Sequence, residues 1–176
     1  MPVMSELARL EAAANRDPGN GQLRYLLGAQ LAQDGHYERA VTELKHAIEL
    51  QPDLHTARFQ LGLLHVTLAQ PVAASAVWAP LEKLEDGAAL RLFKGGLEAL
   101  LRDDFGNCIR LLESGIRANT SNAPLNRDMG LVVSKARAAL ATAPASKVGA
   151  TNKSNNPQPQ DQGEPEVRTD FSLYDQ

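Results

Sequence analysis

The chain has 176 residues, a formal net charge of −3 and an apolar share of 43%, with aromatic residues at 5%. This length fits one domain with an appendage, and a pI of about 5.8 gives no basic footprint for nucleic acid. Cys108 is the only cysteine, which excludes an internal disulfide and a cysteine zinc cluster. Alanine and leucine outweigh the aromatic residues, and this bias favours helices over sheets.

Two stretches bear on the compartment. The opening segment MPVMSELARLEAAA lacks the basic and apolar regions of a secretory signal, so the expected compartment is the cytoplasm. No residue between Arg58 and Glu82 is charged, a length that would span a bilayer. Polar and helix-breaking residues interrupt this stretch, however, and we expect no membrane partner.

A step of 34 residues organises the chain. It leads from Gly28 to Gly62, Gly96 and Gly130. Three further columns keep the same step: the aromatic residues Tyr25, Phe59 and Phe93, the small residues Ala40, Ala74 and Cys108, and the large apolar residues Leu44, Trp78 and Leu112. Several independent columns in one register indicate a structural repeat.

Residues 21–54 carry Leu27-Gly28, Ala40, Leu44, Ala47 and Pro52 in that order. This order resembles the tetratricopeptide repeat (TPR) family, whose 34-residue unit is a helix–turn–helix. The resemblance implies an all-α fold, a right-handed α-solenoid of about three repeats at residues 21–54, 55–88 and 89–122. It also implies that Gly28 faces the small Ala40 where the two helices of a repeat cross.

The ends of the repeat region resemble half-repeats. Residues 4–18 resemble only the second helix of a repeat, with Ser5 as its N-cap, and residues 123–141 resemble only the first, with Pro124 near its start. Both are expected to cap a domain of residues 1–141, and a homodimer through these end helices is possible. Within repeat two, Pro80 predicts a kink or an early end of the second helix.

Residues 142–176 differ from the rest in composition. Asn, Gln and Pro dominate them, which predicts a disordered tail. The tail ends with three bulky apolar residues, Phe171, Leu173 and Tyr174. They are either an unimportant end or a docking motif for another protein or for this protein's own groove. If they plug the groove, deletion of residues 168–176 should increase partner binding.

The resemblance also implies where function would lie, because the first helices of TPR units line a concave face. The predicted peptide-binding residues on that face are Gln22, Tyr25, Ala29, Phe59, Leu63, Phe93 and Leu97, with Lys94 at a polar edge. These residues either pack against neighbouring helices or form an apolar groove for a partner segment. We favour the groove, and hence a non-enzymatic scaffold or adaptor that binds an apolar or amphipathic peptide. The alternative is a dedicated secretion or assembly chaperone that holds a hydrophobic segment of a client protein.

Residues for catalysis or metal binding do not form a recognisable set. The four histidines, His36, His46, His55 and His65, include no i, i+4 pair and have no cysteine nearby. Cys108 occupies a small-residue packing position, which predicts an inert buried thiol. We therefore expect no enzyme activity, no cofactor and no metal, and a protein or peptide as the partner.

Overall fold

The computed structural model describes residues 5–142, which form a helical-repeat solenoid and confirm the predicted all-α fold class. The α-helices in this part of the chain are α1 (Glu6–Arg16), α2 (Gly21–Gln33), α3 (Tyr37–Leu50), α4 (His55–Thr67), α5 (Pro71–Trp78), α6 (Ala89–Leu101), α7 (Phe105–Ala118) and α8 (Ala123–Thr142). Helices α2 and α3, α4 and α5, and α6 and α7 pack as pairs, with α1 and α8 at the two ends.

Local sequence signals set several helix boundaries as predicted. The Ser5 hydroxyl accepts a hydrogen bond of 3.2 Å from the Ala8 amide and caps α1. Pro124 lies in the first turn of α8, where its missing N–H costs no intrahelical bond. Pro80 has a larger effect: α5 ends at Trp78, and a 3₁₀-helix follows over Ala79–Lys83. The early end of this helix is therefore confirmed.

The turn inside each repeat has the same backbone geometry. One residue per turn adopts a left-handed conformation, and these residues lie 34 apart: Gly35 (φ 77°), Ala69 (φ 55°) and Asp103 (φ 57°). The next amide donates to the carbonyl five residues earlier, at 2.8, 2.8 and 2.9 Å in the three turns. This hydrogen bond closes the helix end in the manner of a Schellman motif. The 34-residue step in the sequence is thus also a step in backbone conformation.

Replacement of Ala69 by glycine should raise the free energy of unfolding by about 1 kcal/mol, because the alanine Cβ opposes the left-handed conformation and glycine has none. The reverse change, Gly35→Ala, should lower it by a similar amount. Urea denaturation followed by circular dichroism measures both. A gain from Gly35→Ala would contradict the assigned turn geometry.

The repeated glycines make room for the large residue of the second helix. A Cβ built on Gly28 would lie 2.8 Å from Leu44 Cγ, and one built on Gly96 would lie 2.5 Å from Leu112 Cδ2. The sequence-based expectation that Gly28 faces Ala40 is therefore wrong. The bulky side chain, and not the small one, needs the space that a Cβ would occupy.

Helix α4 joins two parts of the hydrophobic core. On one face, Ala57, Leu61 and Leu64 pack with buried residues of α1, α2 and α3. On the other face, Phe59 and Leu63 pack with buried residues of α5, α6, α7 and α8. Both faces of α4 are therefore buried, and this decides which predicted site residues remain accessible.

Candidate functional site

The predicted aromatic column is mostly core. The Phe59 side chain is 1% exposed and Phe93 is 0% exposed. Their ring centroids lie 6.0 Å apart, and the Trp78 ring stacks on the other side of Phe59 at 5.9 Å. Phe59 and Phe93 are thus inaccessible to a peptide in this structure, which corrects the sequence-based assignment.

Leu63 and Leu97 are corrected for the same reason. Both are buried in the cluster that joins α4 and α6 to α8. Repeats two and three pack so closely that the positions expected to line a concave groove contact the neighbouring repeat instead. The interpretation that these residues pack against neighbouring helices is the one that fits them.

Lys94 is paired within the chain. Its ammonium group, on a residue that is 5% exposed, hydrogen-bonds to the carboxylates of Glu82 and Glu98. Burial alone would lower the pKa of Lys94, but the hydrogen bonds and charges of the two carboxylates outweigh it and raise that pKa. The pairing with Lys94 lowers the pKa of Glu82. Lys94 therefore ties the 3₁₀-helix to α6 and has its donors directed at protein carboxylates.

The remaining predicted residues form an open strip on α2, which we call the α2 face: Gln22, Tyr25, Leu26 and Ala29. Gln22 is exposed, Tyr25 and Ala29 are half-buried, and Leu26 is 39% exposed. The spacing i, i+3, i+4, i+7 places them on one side of the helix. Burial raises the pKa of the Tyr25 hydroxyl, which keeps it neutral. The α2 face offers an aromatic ring and a leucine flanked by an amide.

Two depressions lie at opposite edges of the solenoid, and the sequence analysis found neither. The first, of about 290 Å³, lies where the amino ends of α4, α6 and α8 meet, and its lining includes His55, Leu90 and Leu125. The Nδ1 atom of His55 is buried there without a hydrogen-bond partner among the described residues. A common 34-residue step predicts that the first helices begin at one edge, and this signal would have located the depression.

The second depression, of about 410 Å³, lies between the start of α5 and the end of α6. Its rim includes Val72, which is 83% exposed, and Leu101 at 42%. Val72 is the most exposed of the large apolar side chains in the described part of the chain. This surface provides a second apolar patch with which the α2 face can be compared.

Reactive side chains are held in structural roles. Cys108 is buried, and burial together with the charge of Asp104 raises the pKa of its thiol to about 11, as expected for an inert cysteine. The ring of the buried His65 hydrogen-bonds to Gln70 through Nδ1 at 2.8 Å. In residues 5–142, no group of three or more His, Cys, Asp or Glu side chains is arranged to hold a metal ion.

The described segment also bears on the remaining sequence predictions. None of its helices is both long enough and apolar enough to cross a membrane. The predicted docking motif, Phe171, Leu173 and Tyr174, lies outside the described residues, as does nearly all of the predicted tail.

Comparison with known proteins gives a likeness of fold. No protein-family model matches the chain, and no curated protein matches it. Among solved structures, it is similar to MamA 41-end from Desulfovibrio magneticus RS-1, with a TM-score of 0.51 and 19% sequence identity over 77% of this chain and 78% of that one. It is also similar to the MamA RS-1 ArsTM double mutant, with a TM-score of 0.51 and 18% identity over 77% and 79% of the two chains. At these identities the likeness shows a shared helical-repeat fold.

Proposed function

We propose that the chain is a TPR protein that acts as a non-enzymatic protein-interaction scaffold. The observation that carries the family proposal is the agreement of three independent features in one 34-residue register. These features are the glycine column in the sequence, the left-handed residue in each turn, and the large side chain seated on each glycine of the three repeats.

The proposed binding surface is the α2 face. It is the part of the predicted concave set that solvent reaches, since Phe59, Leu63, Phe93 and Leu97 are buried. A half-buried tyrosine beside an exposed leucine is a typical anchor site for a partner side chain. The residues Gln22 to Ala29 span about two helical turns. We therefore propose that the ligand is a short apolar or amphipathic segment.

The chaperone alternative depended on an apolar lining that continued through all three repeats. Burial of the aromatic residues of repeats two and three confines the accessible lining to α2. A surface of this length supports recognition of a short segment better than the holding of a long hydrophobic one. The scaffold is therefore the function that we propose.

Selection of displayed random peptides on the full chain tests this proposal. The enriched peptides should be apolar or amphipathic, and Leu26→Glu should weaken their binding at least tenfold, about 1.4 kcal/mol, because it places a charge in the anchor site. Fluorescence anisotropy of labelled peptides measures the affinity, and circular dichroism verifies the fold.

The control is Val72→Glu, which places the same charge on the other apolar patch. It should leave peptide affinity unchanged. Peptides that bind Leu26→Glu as well as the wild type, but lose binding to Val72→Glu, would move the site to the depression between α5 and α6. Peptides unaffected by either change would exclude both surfaces.

A further inference from the structure

The seat above the repeated glycine is filled in each complete repeat. A Cβ built on Gly28, Gly62 or Gly96 would come within 3 Å of the large side chain of the second helix. Gly130 continues the same 34-residue step in α8, yet a Cβ built on it meets no atom within 4 Å. The glycine seat of α8 is therefore formed and empty.

The face of α8 around Gly130 is open because no second helix follows in the described chain. Ser134 is exposed, whereas its counterpart Ala32 in repeat one is fully buried. Helix α8 also does not turn back where the others do. The turn residues Gly35, Ala69 and Asp103 predict a turn at Arg137, but α8 continues through Thr142. Residues 5–142 thus end in a first helix without a partner.

Helix α1 has the complementary deficiency. Leu10 lies 34 residues before Leu44, and Ala13 lies 34 residues before Ala47. Leu44 and Ala47 are fully buried against α2, whereas Leu10 and Ala13 are only half-buried. The side of α1 that would contact the first helix of its own repeat is therefore exposed.

The opposite side of α1 is already used. Ala14 is fully buried in the cluster that includes α2, and Leu7 packs against the same cluster. This is the contact that a second helix makes with the first helix of the next repeat. Helix α1 is therefore positioned as the second helix of a repeat whose first helix is absent.

We propose that copies of this chain associate head to tail, with α1 of one copy as the missing second helix beside α8 of another. In this arrangement Leu10 of one copy occupies the seat of Gly130 in the next, as Leu44 occupies that of Gly28 within the chain. The occupant is a second copy because the contact continues the packing of the three internal repeats. Glu6 replaces the small residue of this column, and as the first residue of α1 it can keep its carboxylate in solvent.

This contact joins two different surfaces and leaves each copy with one free end. Such a heterologous contact builds an open chain of subunits unless its rotation closes a ring. The proposal does not depend on peptide binding, because the α2 face belongs to a complete repeat and takes no part in the junction.

A disulfide test detects the junction directly. One preparation carries Leu10→Cys and another carries Gly130→Cys; the two are mixed and oxidised with copper phenanthroline. In repeat one a Cβ on Gly28 lies 2.8 Å from Leu44 Cγ, so the equivalent pair is within disulfide reach. We expect a covalent dimer in the mixture and none in either preparation alone. The native Cys108 is buried and does not compete.

The control pair is Leu10→Cys mixed with Gly106→Cys. Gly106 is also a helical glycine with nothing within 4 Å of an added Cβ, but it lies on α7 outside the proposed junction. The control mixture should give no dimer. Absence of a dimer in the Leu10–Gly130 mixture, or equal amounts in both mixtures, overturns the proposal.

Sedimentation velocity gives an independent measurement without cysteines. The mean mass of the wild-type chain should rise with concentration, and Gly130→Leu should abolish the rise by filling the seat. Gly106→Leu is the matched control and should behave as the wild type. A chain that remains monomeric at every concentration overturns the proposal, as does association that persists in Gly130→Leu.

Discussion

Replacement of Gly62 by alanine should destabilise the protein by about 3 kcal/mol, the upper part of the usual range for an overpacked core. A Cβ on Gly62 would lie 2.0 Å from Trp78 Nε1 and 2.3 Å from Trp78 Cε2. The indole cannot move away cheaply, because its Nε1–H donates a buried hydrogen bond of 3.0 Å to the Phe59 carbonyl and its ring stacks on Phe59. Urea denaturation followed by circular dichroism measures the loss.

The matched control is Gly106→Ala. This glycine also lies in a helix, but an added Cβ meets nothing within 4 Å. Alanine is the better helix former, so Gly106→Ala should leave stability unchanged or raise it by up to about 1 kcal/mol. Equal losses for the two variants would show that helix propensity and backbone effects, and not the indole contact, determine the cost at Gly62.

Truncation of Trp78 to alanine should cost about 3–5 kcal/mol, because it opens a cavity in the core between α4, α5 and α6. This is a large part of the 5–15 kcal/mol that stabilises a typical domain. The Trp78 side chain is fully buried and contacts the glycine seat of repeat two as well as Phe59. Since Trp78 is the only tryptophan, far-ultraviolet circular dichroism and not fluorescence must follow this variant.

The double variant Gly62→Ala with Trp78→Ala separates the two effects. Once the indole is gone, the added Cβ has space, so Gly62→Ala should cost little in the Trp78→Ala background. The two changes should therefore be strongly non-additive, as expected for residues in direct contact. Additive losses would mean that the clash at Gly62 comes from something other than the Trp78 ring.

Local chain chemistry explains the predictions that the structure confirms. Ser5 caps α1 because its hydroxyl reaches an amide three residues ahead, whatever the rest of the fold does. Pro80 ends α5 because it lacks an N–H and its ring opposes the preceding turn. The repeat itself is readable for a related reason: each unit must present the same residue types at the same crossing point to pack against its neighbours.

The contacts across each crossing required coordinates. Both Ala40 and Leu44 lie on the side of α3 that faces α2, and the sequence does not say which of them covers Gly28. The answer depends on how far one helix is shifted along the other, a distance set by the packing of many side chains. The structure places Leu44 over the glycine, and the same shift places Trp78 over Gly62.

The sequence by itself determined an all-α repeat fold with its register, its helix ends and the column of aromatic residues, since these follow from periodicity and local backbone chemistry. Only the tertiary structure decided which members of that column solvent can reach. Tyr25 stays half-exposed, whereas Phe59 and Phe93 are enclosed by the helices of repeats two and three and by α8. Exposure depends on the spacing and angle between successive helix pairs, and these are collective results of packing that no single residue type encodes.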